Sequence, residues 1–231
     1  MHTPVSHRRA FTLVELMIVV GIIGTLAAIS IPVVMNALSK ARNAAIKSEV
    51  DMLHMSIMNY RNEIGSLPPL DIDPTASNSV AQRHLKRAFP RCDAAAQLAG
   101  GNPITPFNAL RSWLRGFTNN PVSPLAPTGD REPLYSFDAS RFDTGQAIYF
   151  PSKLPQSPFV YIPKNNYGTA YPPAPLTYTA NNATFTIPTG TYESIADMNP
   201  DTFQILCAGR DGEWGTEDDI SNFWSSTRGD P

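Results

Sequence analysis

The chain of 231 residues has little charge and few cysteines. Only 16% of its residues are Asp, Glu, Lys or Arg, against roughly 25% in an ordinary soluble domain. The net charge is −2, so no global field draws it to nucleic acid or to an anionic surface. No basic stripe interleaved with aromatics supports a nucleic-acid partner either. Two cysteines, Cys92 and Cys207, exclude a disulfide-rich scaffold. They admit one disulfide in an oxidising compartment, or two unrelated buried thiols; sequence alone does not bring the sulfurs together. Catalytic fingerprints are missing as well: there is no His-Glu-x-x-His, Gly-x-Ser-x-Gly, phosphate loop or dinucleotide motif. The four histidines (His2, His7, His54 and His84) are scattered, and Asp71 with Asp73 reads most simply as a turn. No catalytic residue is assigned, and the chain is not expected to be an enzyme.

What the sequence does have is concentrated at its start. After a short, polar, basic stretch over 1–10, the twenty residues from Leu16 to Met35 carry no charge. At 1.5 Å per residue they reach about 30 Å, the thickness of a bilayer's hydrocarbon core. The run is apolar on all sides, unlike the one-sided face of a surface helix. Glu15 stands at its edge, and a carboxylate entering hydrocarbon is costly unless something positive meets it.

Beyond Met35 the pattern becomes amphipathic. Ile46, Val50, Leu53, Ile57, Tyr60 and Ile64 follow steps of four and three, the period of a helix packed along one side. Gly65 and Pro68-Pro69 stop it. Met52, Met55 and Met58 lie around the other side and read as an adaptable contact surface or as three partly exposed methionines. Pro32 should bend the helix or cost it one hydrogen bond.

The remainder is different material: 19 of the 22 prolines fall between residues 65 and 200. Short strands are expected at 146–150, 159–162, 183–187 and 202–208, and short helices at 79–89 and 107–117. The expected fold class is α+β: one long helix packed on a small antiparallel sheet with large loops. Near the end, Asp211, Glu213, Glu217, Asp218 and Asp219 crowd within nine residues. Such carboxylates repel unless a hard cation such as calcium or nearby basic groups neutralise them; Arg210 and Arg228 are the candidates.

The segment Arg8-Arg9-Ala10-Phe11-Thr12-Leu13-Val14-Glu15 resembles the class III signal sequence of type IV pilins and type II secretion pseudopilins. The likeness lies in the basic leader, the small residue before Phe11, the glutamate four residues later and the apolar helix; Pro32 fits their helix-kinking proline. Ala10 stands where the family usually has glycine. The resemblance implies a leader (1–10), a transmembrane helix (11–35), its amphipathic continuation (36–65) and a periplasmic head (66–231). It implies cleavage between Ala10 and Phe11 by a prepilin peptidase, N-methylation of Phe11, and an inner-membrane subunit with a cytoplasmic N-terminus. Its partners would be copies of itself, other pseudopilins, the assembly platform and lipid, and Glu15 would pair with the Phe11 amine of a neighbour. The acidic segment is similar to the calcium-binding loop of major pseudopilins, which implies Asp211 and Asp219, then Glu217, as ligands. The function so implied is a structural subunit of a secretion pseudopilus. Two alternatives stand beside it: a type IV pilin or minor pilin, and an exported protein with a conventional signal peptide cleaved after Leu26.

Overall fold

The structure, a computed structural model, describes residues 12–99, 102–145, 147–152 and 154–229. The first element, α1, runs from Leu13 to Ile64 and carries Pro32 within it. By contacts the chain divides into two units, Met1–Arg42 and Asn43–Pro231. In the described part of the first, every apolar side chain from Leu13 to Leu38 is exposed. The hydroxyls there fold back onto the helix: Thr25 donates to the Ile22 carbonyl at 2.9 Å and Ser30 to that of Leu26 at 2.7 Å. The helix thus shows its surroundings almost nothing but hydrocarbon, as a membrane span requires.

The second unit holds the core. Ile46, Val50, Leu53, Ile57 and Tyr60 are buried, so the expected stripe is the packed face of α1. Met52 and Met55 are exposed, whereas Met58 is half-buried against the core and leaves the expected second face. Gly65 ends the helix at φ +82°, donating its N–H to the Arg61 carbonyl at 2.8 Å; only glycine takes that left-handed conformation without strain. Three short helices follow: α2 (Val80–Ala88), α3 (Ala94–Leu98) and α4 (Ala109–Leu114). Ser79 and Asp93 cap the first two, accepting from the amides of Gln82 and Ala96.

Strands β1 (Val160–Pro163), β4 (Phe203–Cys207) and β5 (Ile220–Ser221) form an antiparallel sheet in the order β1-β4-β5. Val160 pairs with Leu206, and Cys207 with Ile220. β1 and β4 are buried on both faces. Strands β2 (Leu176–Ala180) and β3 (Ala183–Ile187) form a separate hairpin. Its turn residues Asn181 and Asn182 both have positive φ, the tight-turn geometry that asparagine tolerates. The fold class is α+β.

Three of the four expected strands appear, and 146–150 does not. Its described residues make one isolated bridge, Phe142 to Tyr149. The Asp143 carboxylate takes the Ile148 N–H at 2.7 Å, a side-chain bond that displaces a ladder. Nor do Cys92 and Cys207 form a disulfide: both are free and buried. Cys92 lies in the turn between α2 and α3, while Cys207 ends β4 with its Sγ 3.5 Å from the Ser157 carbonyl oxygen. Burial pushes its thiol up to about 12, so it is inert rather than reactive.

Candidate functional site

The helix start is built by Thr12 and Glu15. The Glu15 carboxylate accepts the Thr12 backbone N–H at 3.0 Å and its hydroxyl at 2.9 Å. The Thr12 hydroxyl in turn lies 3.2 Å from the Glu15 amide, which donates to it. This reciprocal capping box satisfies two otherwise orphaned amides. Sequence reading overlooked Thr12, although Thr-x-x-Glu before an apolar run is its signal. Both Glu15 bonds go to one oxygen, Oε2, and the carboxylate is exposed. Ala10 and Phe11, the expected cleavage pair, lie outside the described residues.

The acidic loop begins where β4 ends. Gly209, at φ +61°, turns the chain so closely over Asp218 that a Cβ there would lie 2.6 Å from the carboxylate. Asp218 then ties the loop together. Its Oδ2 accepts the amides of Arg210 at 2.6 Å and Asp211 at 3.3 Å, and its Oδ1 accepts the Thr216 hydroxyl at 2.7 Å. Burial raises the pKa of this group, but these hydrogen bonds outweigh it and hold the carboxylate below its usual range.

Asp219 is wholly buried. Its Oδ2 accepts the Gly215 amide at 2.8 Å, with the Arg228 guanidinium 3.6 Å away. Its Oδ1 is buried without a hydrogen-bond partner among the described residues. Burial, against the Gly215 bond and the Arg228 charge, pushes the carboxyl up to about 6. Asp211 and Glu217 are exposed; Asp211 caps the Glu213 amide at 2.9 Å. Among the described residues no three His, Cys, Asp or Glu side chains converge as a metal set. Of the expected ligands the fold thus presents Asp219 as a buried carboxylate with one oxygen, Oδ1, left without a partner among the described residues, and leaves the other two at the surface. Asp218 serves as the internal anchor.

A further charged centre was not anticipated. Glu49 lies on the packed face of α1 and is buried. It accepts the hydroxyls of Tyr135 at 3.1 Å and Tyr149 at 3.0 Å and pairs with Arg141 at 2.6 Å. The signal was an acid at a position in phase with Ile46 and Leu53.

Residues 5–31 match the family model of the prokaryotic N-terminal methylation motif. No curated protein and no solved structure matches the chain. The matched segment contains Ala10, Phe11, Thr12 and Glu15 and most of the apolar run; of these, Thr12, Glu15 and the run form the capped, hydrocarbon-exposed helix start. The motif is structural rather than enzymatic; it implies processing by a prepilin peptidase and self-assembly into filaments, and the apolar helix behind it fits a membrane anchor. At the head of its long helix the chain thus carries the N-terminal methylation motif that is typical of type IV pilins and pseudopilins.

Proposed function

We propose that the protein is a structural subunit of a type II secretion pseudopilus. It would wait in the inner membrane with its N-terminus cytoplasmic and its head in the periplasm. Cleavage after Ala10 frees the amine of Phe11, which is then methylated and stays cationic. Glu15 of an adjacent copy pairs with it as the subunit joins the filament. In low dielectric that attraction is far stronger than in water. Leaving lipid costs the helix little when other helices cover the same apolar surface. Copies of itself, other pseudopilins, the peptidase and the assembly platform are the partners.

The observation that favours a pseudopilus over a pilus is the acidic loop leaving β4 through Gly209. Calcium belongs to this reading, with Asp219 as first donor and Asp211 and Glu217 as the further carboxylates. The orphaned Oδ1 supports it; the Arg228 guanidinium beside Oδ2 opposes it. A pilin or minor pilin is the second reading, favoured by the large irregular excursion over 115–159 and the β2–β3 hairpin, which suit a display surface. Deleting the gene separates the two. Loss of protein secretion with surface fibres intact supports the pseudopilus. Loss of fibres with secretion intact rejects it in favour of the pilus.

A further inference from the structure

α4 bears two arginines four residues apart, Arg111 and Arg115, the second being its C-cap. That spacing puts both on one side of the helix. Both line a cleft of about 510 Å³, together with Gln97, Leu98, Ile104 and Trp113. Arg111 is held in place over the Phe142 ring, 4.5 Å from its centroid. Neither arginine makes an ion pair among the described residues. Arg131, close behind, is committed to the carbonyls of Gly116 and Ala126. Burial and the like charges of Arg131 and Arg111 all act against the charge on Arg115.

The other groups on the cleft are sorted by their bonds. Asp143 is the one acid among the residues lining it, and its two oxygens accept the amides of Gly145 and Ile148. Asn108 and Ser112 donate to the carbonyls of Pro103 and Asn108. Gln97 is different. Its Oε1 accepts the Leu125 amide at 3.0 Å, which orients the side chain and leaves its NH₂ as a donor. Leu98, Ile104 and Trp113 are nearly fully buried and offer an apolar wall.

We propose that this cleft binds a small organic anion, one carboxylate or phosphate head carrying an apolar body, with Arg111, Arg115 and Gln97 as donors and the Ile104–Trp113 side as its apolar wall. Guanidinium groups bind planar and tetrahedral oxyanions through charge-assisted hydrogen bonds, and a pair of them in a concave site, without an ion pair among the described residues, is the matching half of such a contact. A few placed polar groups against an apolar wall is the usual composition of a ligand site. The alternative is a pair of solvated arginines favoured by the C-terminal end of α4. That alternative gives no saturable binding. The proposal is independent of the choice between pseudopilus and pilus.

The test is calorimetry on the full-length protein in detergent, at ionic strength matched with sodium chloride, using inorganic phosphate, phenyl phosphate and benzoate. Phenyl phosphate is expected to bind at least about tenfold more tightly than inorganic phosphate, since the ring adds apolar burial. Benzoate measures the carboxylate head against the phosphate head. Arg115→Gln should weaken binding at least about tenfold, and Arg115→Lys should restore only part of it, because lysine keeps the charge but loses the fork. Arg115 reaches solvent although its guanidinium is partly desolvated in the cleft, and an unchanged melting temperature verifies that these variants keep the fold. No saturable heat from any of the three compounds overturns the proposal, as does binding that Arg115→Gln and Arg111→Gln leave unchanged.

Discussion

Arg141 holds its guanidinium 2.6 Å from the carboxylate of Glu49, joining a 3₁₀ turn of the head to the packed face of α1. The same guanidinium donates twice to the Phe150 carbonyl, at 2.9 and 2.8 Å, and lies 4.6 Å over the Tyr149 ring. Every polar edge of Glu49 is thereby met: two tyrosine hydroxyls on one oxygen, an arginine on the carboxylate. A buried charge survives only when paired and hydrogen-bonded.

Removing one partner should be much worse than removing both. Glu49→Gln leaves Arg141 facing a neutral amide in a desolvated site and is expected to cost about 3 kcal/mol. For a chain of this size that lowers the melting temperature by roughly 6–12 °C. Glu49→Leu with Arg141→Leu should cost less than the sum of the single changes. A strictly additive double-mutant cycle, measured by thermal unfolding, would mean that Glu49 and Arg141 are not coupled.

Acid should loosen the head through His84. This ring is buried, with Nε2 2.5 Å from the Tyr60 hydroxyl, Nδ1 3.2 Å from that of Ser66, and Trp113 edge-on at 5.0 Å. Burial, with some help from Arg87, drops its pKa to about 4 from 6.5. The folded protein therefore binds fewer protons than the unfolded chain between those values. Stability from this group is full above about pH 6.5 and is lost as the pH falls toward 4, by up to about 3 kcal/mol. His84→Gln should flatten that part of the stability profile; an unchanged slope assigns the acid sensitivity elsewhere.

At the helix start, Glu15→Ala is expected to leave membrane insertion intact and to block entry into filaments. Normal filament yield from that variant would falsify the pairing with Phe11. Thr12→Ala loses only the cap, about 1 kcal/mol of local helix stability, and should slow assembly without abolishing it. Mass spectrometry of the mature chain should find a methylated Phe11 at its N-terminus; a start beyond Leu26 restores the conventional signal peptide.

Calcium should raise the melting temperature of the full-length protein in detergent and a chelator should reverse it, with Asp219→Asn abolishing both effects. If calorimetry shows no calcium heat and chelator leaves melting unmoved, the loop is closed by Asp218 and Arg228 alone.

Much of this was legible in the sequence because it is local. The stripe from Ile46 to Tyr60, the stop at Gly65, strands at 159–162, 183–187 and 202–208, and the apolar run from Leu16 are patterns of neighbours along the chain, and each has its counterpart in the structure. The misses are non-local. Met58 turns inward because the head covers its side of α1. Residues 146–150 look like a strand, yet Asp143 takes their amide. The two cysteines were a plausible pair by count, but β4 and the α2–α3 turn hold them apart.

The sequence by itself determined the long helix and the motif over 5–31, since period, hydrocarbon length and a processing signal are read one neighbour at a time. Only the tertiary structure decided which charges are buried and with what. It made Asp218 the anchor, left Asp219 with an orphaned oxygen, and gave Glu49 an arginine 92 residues away. A carboxylate's environment is set by whatever the fold brings within a few ångströms of it, and separation along the chain carries no record of that.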